Sequence, residues 1–169
     1  TDLIGLLEEV GDFSIGVAAF PEVHPRSVDR TTDRRHLAAK LARADFAITQ
    51  FFYDVDDYLA MVEELADLGC DTPVIPGVFP FVTVPGLRRM AAMNGSAIPA
   101  DLDRDLGAVD GDAEATRALG VEVASDLAAR LLEAGAPGLH LYTMNRARSV
   151  REVCANVGIL GAADVVAPD

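Results

Sequence analysis

Four short apolar runs, at residues 13–19, 46–52, 73–79 and 138–144, recur along the chain, each followed by a helical pattern. Each run is continuous rather than alternating, the pattern of a parallel strand covered on both faces. Strand–helix alternation of this kind specifies a parallel α/β architecture with right-handed crossovers. The clearest helix starts from Asp54, a good N-cap, with Asp57 in its first turn. Val55, Tyr58, Leu59, Val62, Leu65 and Ala66 form its apolar face, and Gly69 stops it. A longer helix is expected over 112–134 and weaker ones over 31–43, 84–93 and 146–157. The polar stretch 94–111, broken by Pro99, reads as an irregular insertion with room for one short helix. Residues 1–10 read as the tail of a helix whose strand is absent.

Two closures fit this alternation: a doubly wound open sheet, or part of a barrel. A complete (β/α)8 barrel takes roughly 250 residues, so 169 residues supply about half of one. Residues 1–169 therefore read as a single domain. With 50% hydrophobic and 24% charged residues, the composition is that of a soluble globular protein. No run resembles a signal peptide or approaches the roughly 18 apolar residues of a membrane span, so a cytoplasmic location and no membrane partner are expected. The net charge of −13 and the lack of any Lys/Arg cluster argue against nucleic acid. Cys70 and Cys154 sit in apolar helical contexts and read as buried thiols, not as a disulfide or metal pair.

In both closures, functional groups gather beyond the carboxyl ends of the strands. There the sequence places Phe20-Pro21-Glu22-Val23-His24-Pro25, Gln50-Phe51-Phe52-Tyr53-Asp54, Pro76-Gly77-Val78-Phe79-Pro80-Phe81 and Tyr142-Thr143-Met144-Asn145-Arg146. Aromatics offer flat contact area and Gln, Asn and Arg offer directed hydrogen bonds, so the four ends together read as one pocket for a planar, polar ligand. Simpler readings stand beside this one. Glu22 and His24 could only rigidify a proline turn, and Asp54 could only cap a helix. Gln50, at the mouth of an apolar strand, needs partners, because an unpaired buried amide costs roughly 1–3 kcal/mol. Arg146 could cap a strand–helix junction or clamp a ligand carboxylate.

Several chemistries find no support. There is no glycine-rich phosphate loop, no Cys/His metal spacing and no nucleophile elbow. Of the three histidines, His140 falls mid-strand and is expected to face a helix. Lys40, the single lysine, lies in a helix rather than at a strand end, which disfavours Schiff-base chemistry. No residue is assigned as catalytic and none as a metal ligand.

The run Val17 to Pro25 closely resembles the fifth-strand signature of methylenetetrahydrofolate reductases. Ala47 to Asp54 resembles strand six, Pro76 to Pro80 strand seven, and Leu141 to Arg146 strand eight. The likeness is ordered and covers nearly the whole chain, including Ile98-Pro99 and the acidic segment from Asp110 to Ala115. It implies a (β/α)8 TIM barrel of which this chain supplies about the last four strand–helix units. It further implies FAD as cofactor, NADH or NADPH as cosubstrate, and reduction of 5,10-methylenetetrahydrofolate to 5-methyltetrahydrofolate. By the resemblance, His24, Asp33, His36 and Lys40 belong to the FAD site, with Lys40 near the pyrophosphate. Gln50 contacts nicotinamide and folate in turn, and Arg146 lies near the folate's glutamate tail. The chain departs from the family at Phe20 (commonly Tyr), His36 (Asn), Ala39 (Arg), Gly86 (Gln) and Met90 (Phe), which puts flavin retention at issue and opens a flavin-independent variant.

The resemblance places the acid that protonates folate on the family's first strand and an aspartate near the flavin on its fourth. Neither strand is among these residues, so the chain alone is expected not to complete catalysis and to expose two sheet edges. The leading expectation is a folate-binding reductase half that forms a homo-oligomer. The alternatives are a non-catalytic half-barrel that binds or self-associates, and an unrelated barrel aldolase or lyase.

Overall fold

The computed structural model describes residues 2–160. Residue 1 and residues 161–169, which the single-domain expectation includes, lie outside the described residues. The element order is α1 (Asp2–Val10), β1 (Gly16–Ala19), α2 (Arg30–Leu41), β2 (Phe46–Phe51), α3 (Val55–Asp67), β3 (Val74–Val78), α4 (Val84–Asn94), α5 (Ala100–Val109), α6 (Ala113–Glu133), β4 (His140–Leu141) and α7 (Ala147–Asn156). All three strand pairings are parallel, and the strands lie in the order β1-β2-β3-β4. Every crossover thus advances one strand in the same direction. A doubly wound sheet reverses its order at a switch point, whereas consecutive units of a barrel do not. The fold is the α/β arrangement of four consecutive units of a (β/α)8 barrel.

Helix boundaries follow from capping chemistry. The Asp54 carboxylate accepts the Asp56 N–H at the start of α3, and Asp112 accepts from Glu114 and Ala115 at the start of α6. Pro99 does not break the 94–111 stretch; it immediately precedes α5, where a missing N–H costs nothing. Asp101 and Asp103 suit the helix N-terminus, and Leu102 and Leu106 bury one face. That stretch is therefore a ten-residue helix between two turns.

All four strands are shorter than their apolar runs, the first and the last most of all. The first begins at Gly16 because Asp45 takes over the bonds of Ile15: its N–H donates to the Ile15 carbonyl at 2.8 Å and its carboxylate accepts the Ile15 N–H at 2.6 Å. Phe13 is left 53% exposed. The last strand stops after Leu141, since Met144 and Asn145 turn out of the β region with φ of 48° and 60°.

The apolar residues form two clusters. One packs the sheet against α2, α3, α6 and α7, with Leu37, Leu41, Ala47, Met61, Val78, Ala128, Leu131 and Val153 at its centre. The other gathers Phe51, Phe79, Phe81, Leu87, Leu102 and Leu106 above the strand ends, under α4 and α5. Gly120 lets α6 touch the chain after β3: a Cβ there would lie 1.9 Å from the Phe81 carbonyl oxygen. The opposite sheet face is less covered, for Phe46, Ile48 and Ile75 are only half-buried where neighbouring Ala47 and Val74 are buried. His140 points away from the helices rather than toward one. It alternates with Leu141, which packs on the helix side, and meets the Tyr142 ring edge-on at 4.7 Å. Cys70 and Cys154 are free thiols, half-buried rather than buried. Among the described residues no helix is long and apolar enough to cross a membrane.

Candidate functional site

Beyond Ala19 the chain leaves the ladder, and its path is set by groups on α2. The Asp29 side chain caps α2 by accepting the Thr32 N–H at 2.7 Å. Asp33, in the first turn, reaches back to the loop: one carboxylate oxygen accepts from Ser27 Oγ at 3.1 Å and from the His24 N–H at 3.4 Å. The other is paired with Arg34 at 2.8 Å. Arg34 is 2% exposed, and its guanidinium donates to the carbonyls of Phe20, Pro21 and Glu22 and to Glu64 of α3. The His24 Nδ1 accepts the Arg26 N–H at 3.1 Å, so the neutral ring carries its proton on Nε2. The Phe20 and His24 rings meet edge to face at 4.5 Å.

The folded loop creates two adjoining clefts. The smaller, about 310 Å³, is lined by Ala18, Ala19, Phe20, His24, Arg26, Ser27, Asp33, His36, Leu37 and Lys40. All four residues expected at a cofactor site, His24, Asp33, His36 and Lys40, stand on its wall. Lys40 is half-buried and donates to the Ala18 carbonyl at 3.1 Å. Burial lowers its pKa, and the negative charge of Asp33 partly offsets that effect. His36 is exposed at the rim, and Ala39 is exposed outside the cleft.

The larger cleft, about 470 Å³, is lined by Phe20, His24, Pro25, Arg26, Gln50, Phe51, Met90, Met93 and Asn94. Gln50 is positioned by an irregularity in β2. The β2–β3 register shifts between Ile48 and Phe51, and there the buried Thr49 hydroxyl accepts the Gly77 N–H at 2.8 Å. Gly77 permits this approach, since a Cβ would lie 2.4 Å from the Thr49 carbonyl oxygen. The far wall, the end of α4, is latched to the first loop. A Glu22 carboxylate oxygen accepts the Ala97 N–H at 2.6 Å, and Asn94 and Ser96 both donate to the Phe51 carbonyl. Burial raises the Glu22 pKa, only partly opposed by the Ala97 N–H. Met90 lines this cleft, while Gly86 leaves the space of a side chain to the capping hydroxyl of Thr83, 2.5 Å from where its Cβ would sit.

Phe20, His24 and Arg26 line both clefts and form the partition between them. Arg146 is not brought to either one: it is exposed at the start of α7, with its N–H donating to the Thr143 carbonyl. Sequence reasoning passed over Arg34 and Arg26. Arg34 left a signal, because it shares the i, i+3, i+7 stripe of α2 with Leu37 and Leu41, where a charge is out of place unless it is fully paired.

A family model described as methylenetetrahydrofolate reductase matches residues 1–158. The chain belongs to the methylenetetrahydrofolate reductase family. It is 38% identical over 159 residues to the 5,10-methylenetetrahydrofolate reductase of Salmonella typhimurium, covering 94% of this chain and 54% of that protein. It is 33% identical over 171 residues to methylenetetrahydrofolate reductase (NADH) 1 of Arabidopsis thaliana, covering 94% of this chain and 29% of that one. The chain thus spans about half the length of the bacterial reductase it matches. A solved protein from Clostridium thermocellum, described as binding two copies of 5-methyl-5,6,7,8-tetrahydrofolic acid, superposes with a TM-score of 0.62 at 19% identity. That match covers 92% of this chain and 56% of the other, and at this identity it speaks for the shared fold. Family membership agrees with the strand-end signatures, and the sequential parallel sheet is the architecture those signatures imply.

Proposed function

We propose that this chain carries the cofactor- and folate-binding half of a methylenetetrahydrofolate reductase, which reduces 5,10-methylenetetrahydrofolate to 5-methyltetrahydrofolate with NADH or NADPH through FAD. The observation that carries the reading is the partition: the cleft of His24, Asp33, His36 and Lys40 is joined through Phe20, His24 and Arg26 to the cleft of Gln50. A dinucleotide, with a charged pyrophosphate joined to a planar ring, suits such a pair of sites. The donor set fits FAD, because Lys40 and Arg26 supply positive charge for a pyrophosphate and the His24 Nε2–H supplies a directed donor. Asp33 contributes indirectly, since its carboxylate is committed to Ser27, His24 and Arg34.

When bound, FAD relays a hydride between the nicotinamide and the folate. The chain's own part is to hold and orient. The Gln50 side chain, with no hydrogen-bond partner among the described residues, presents its amide to a planar ring in the larger cleft. Met90, Met93 and Phe51 give that ring an apolar, adaptable wall. Arg146 offers a guanidinium for the carboxylates of a glutamate tail extending past β4.

Titration of the purified chain with FAD tests this reading. Flavin absorption should co-elute with the protein, and Lys40→Ala should weaken binding about tenfold, the loss of roughly one charge-assisted hydrogen bond. Binding of NADH and folate without any flavin would move the reading to a flavin-independent reductase. A second reading, a self-associating half-barrel, is favoured by β1 and β4, which each have one neighbour, and by the half-buried Phe46, Ile48 and Ile75. It predicts a dimer in sedimentation velocity that binds neither flavin nor folate.

A further inference from the structure

We infer that Arg34 is the positioning residue of this site: it fixes the Phe20–Glu22 backbone and so sets the partition of Phe20 and His24 between the two clefts. The guanidinium makes five hydrogen bonds, to Glu64, Asp33 and the carbonyls of Phe20, Pro21 and Glu22. A guanidinium has five N–H groups, so every one is used. Three consecutive carbonyls of a segment that has just left the sheet are held by one rigid fork. Among the described residues no other side-chain donor is bonded to them.

Stability alone does not account for an arginine here. Position 34 lies on the buried stripe of α2 with Leu37 and Leu41, where an apolar side chain would pack without the desolvation penalty of a buried charge, provided its present partners were replaced or satisfied as well. What the arginine adds is geometry, since only a planar fork can satisfy three carbonyls and two carboxylates at once. Its Nε is anchored 2.7 Å from Glu64, and the same carboxylate holds Arg30 at 2.6 Å. The partition is therefore referenced to α3 rather than to the sheet edge. Asp33 completes the frame by holding the His24 N–H and Ser27 from the other side. That ligands occupy the two clefts rests on the reading given above; the placement of the loop does not.

Arg34→Lys separates charge from geometry, because it keeps the cation between Asp33 and Glu64 but removes the fork. Two readouts are needed. In the ligand-free chain, the imidazole resonance of His24, one of three histidines and assigned by its loss in His24→Gln, reports the ring current of Phe20. In Arg34→Lys that resonance should move while those of His36 and His140 stay in place. The dissociation constants for FAD and for 5-methyltetrahydrofolate, measured well below the melting temperature, should rise about tenfold or more. A merely structural arginine lowers the melting temperature but leaves the His24 resonance and both constants unchanged, and that result overturns the inference. Should Arg34→Lys fail to fold, Glu64→Gln loosens the same anchor and should shift the His24 resonance in the same direction; an unmoved resonance overturns the inference there too. If the unsubstituted chain binds neither FAD nor folate, the functional reading fails, and the His24 resonance still decides the role of Arg34.

Discussion

The loop after β1 and the loop after β4 carry equally pronounced signatures in the sequence, yet the protein treats them differently. The first is held by buried groups from elsewhere, Arg34 of α2 and Asp33 beside it, with the half-buried Glu64 of α3 anchoring Arg34. The second, residues 143–147, is exposed throughout and held by local bonds, from the Arg146 and Asn145 N–H groups to the carbonyl and hydroxyl of Thr143. Two of its residues, Met144 and Asn145, sit at positive φ without being glycine. Residue types at a strand end advertise a site, but remote anchors decide which of them share a wall. His24 is held at its N–H by Asp33 and at its Nδ1 by the Arg26 N–H, whereas the Arg146 side chain is exposed.

The sharpest way to break this contrast is to remove one arginine from each loop. Arg34→Met leaves three carbonyls without their side-chain donor and takes one partner each from Asp33 and Glu64, and should destabilise the chain by about 3–5 kcal/mol. Arg146→Met removes an exposed side chain and should stay within about 0.5 kcal/mol. Urea midpoints measure both, and equal losses would erase the distinction.

The same contrast explains what was legible. Strand number and helix starts were readable because they depend on local periodicity and on side chains such as Asp54 and Asp112 bonding their own neighbours, whereas strand order stayed open between two closures until the family signature was added. His24, Asp33, His36 and Lys40, grouped in the sequence only by the family signature, are brought by the fold to the wall of one cleft. The true ends of β1 and β4 were not readable. They depend on Asp45 capturing Ile15 and on the turn at Met144, neither of which an apolar run records. Arg34 was hidden for a related reason: its five partners come from three segments of the chain, and only the misfit of a charge on an apolar stripe hints at them.

The second loop is tied to distant strands at its root, where the Tyr142 N–H donates to the Val78 carbonyl at 2.9 Å. The Tyr142 hydroxyl crosses β3 to donate to the Thr49 carbonyl at 2.8 Å. Tyr142→Phe should cost about 1 kcal/mol and should speed amide exchange in β4 while leaving β1 and β2 protected. Uniform exchange across all four strands would show that β4 is anchored by packing instead. Within the turn itself, Met144→Gly relieves a left-handed residue and should be neutral or stabilising by up to about 1 kcal/mol. A lower melting temperature for that variant would mean the turn is held more firmly than its local bonds imply.

The smallest effect lies where the first loop latches onto the end of α4. Burial raises the Glu22 pKa above its unfolded value, despite the Ala97 N–H it accepts. The folded chain therefore holds that proton more tightly than the unfolded one. The resulting stability is fully present below the unfolded value, about 4.3, and is lost as pH rises through the folded value. Glu22→Gln cannot ionise but keeps an oxygen to accept the Ala97 N–H. Its melting temperature relative to the parent chain should rise from acid to neutral pH, and it should match or exceed the parent at neutrality. If instead the glutamine variant loses ground as pH rises, the ionised carboxylate is what holds the latch, and the far wall of the larger cleft is secured by charge rather than by a neutral hydrogen bond.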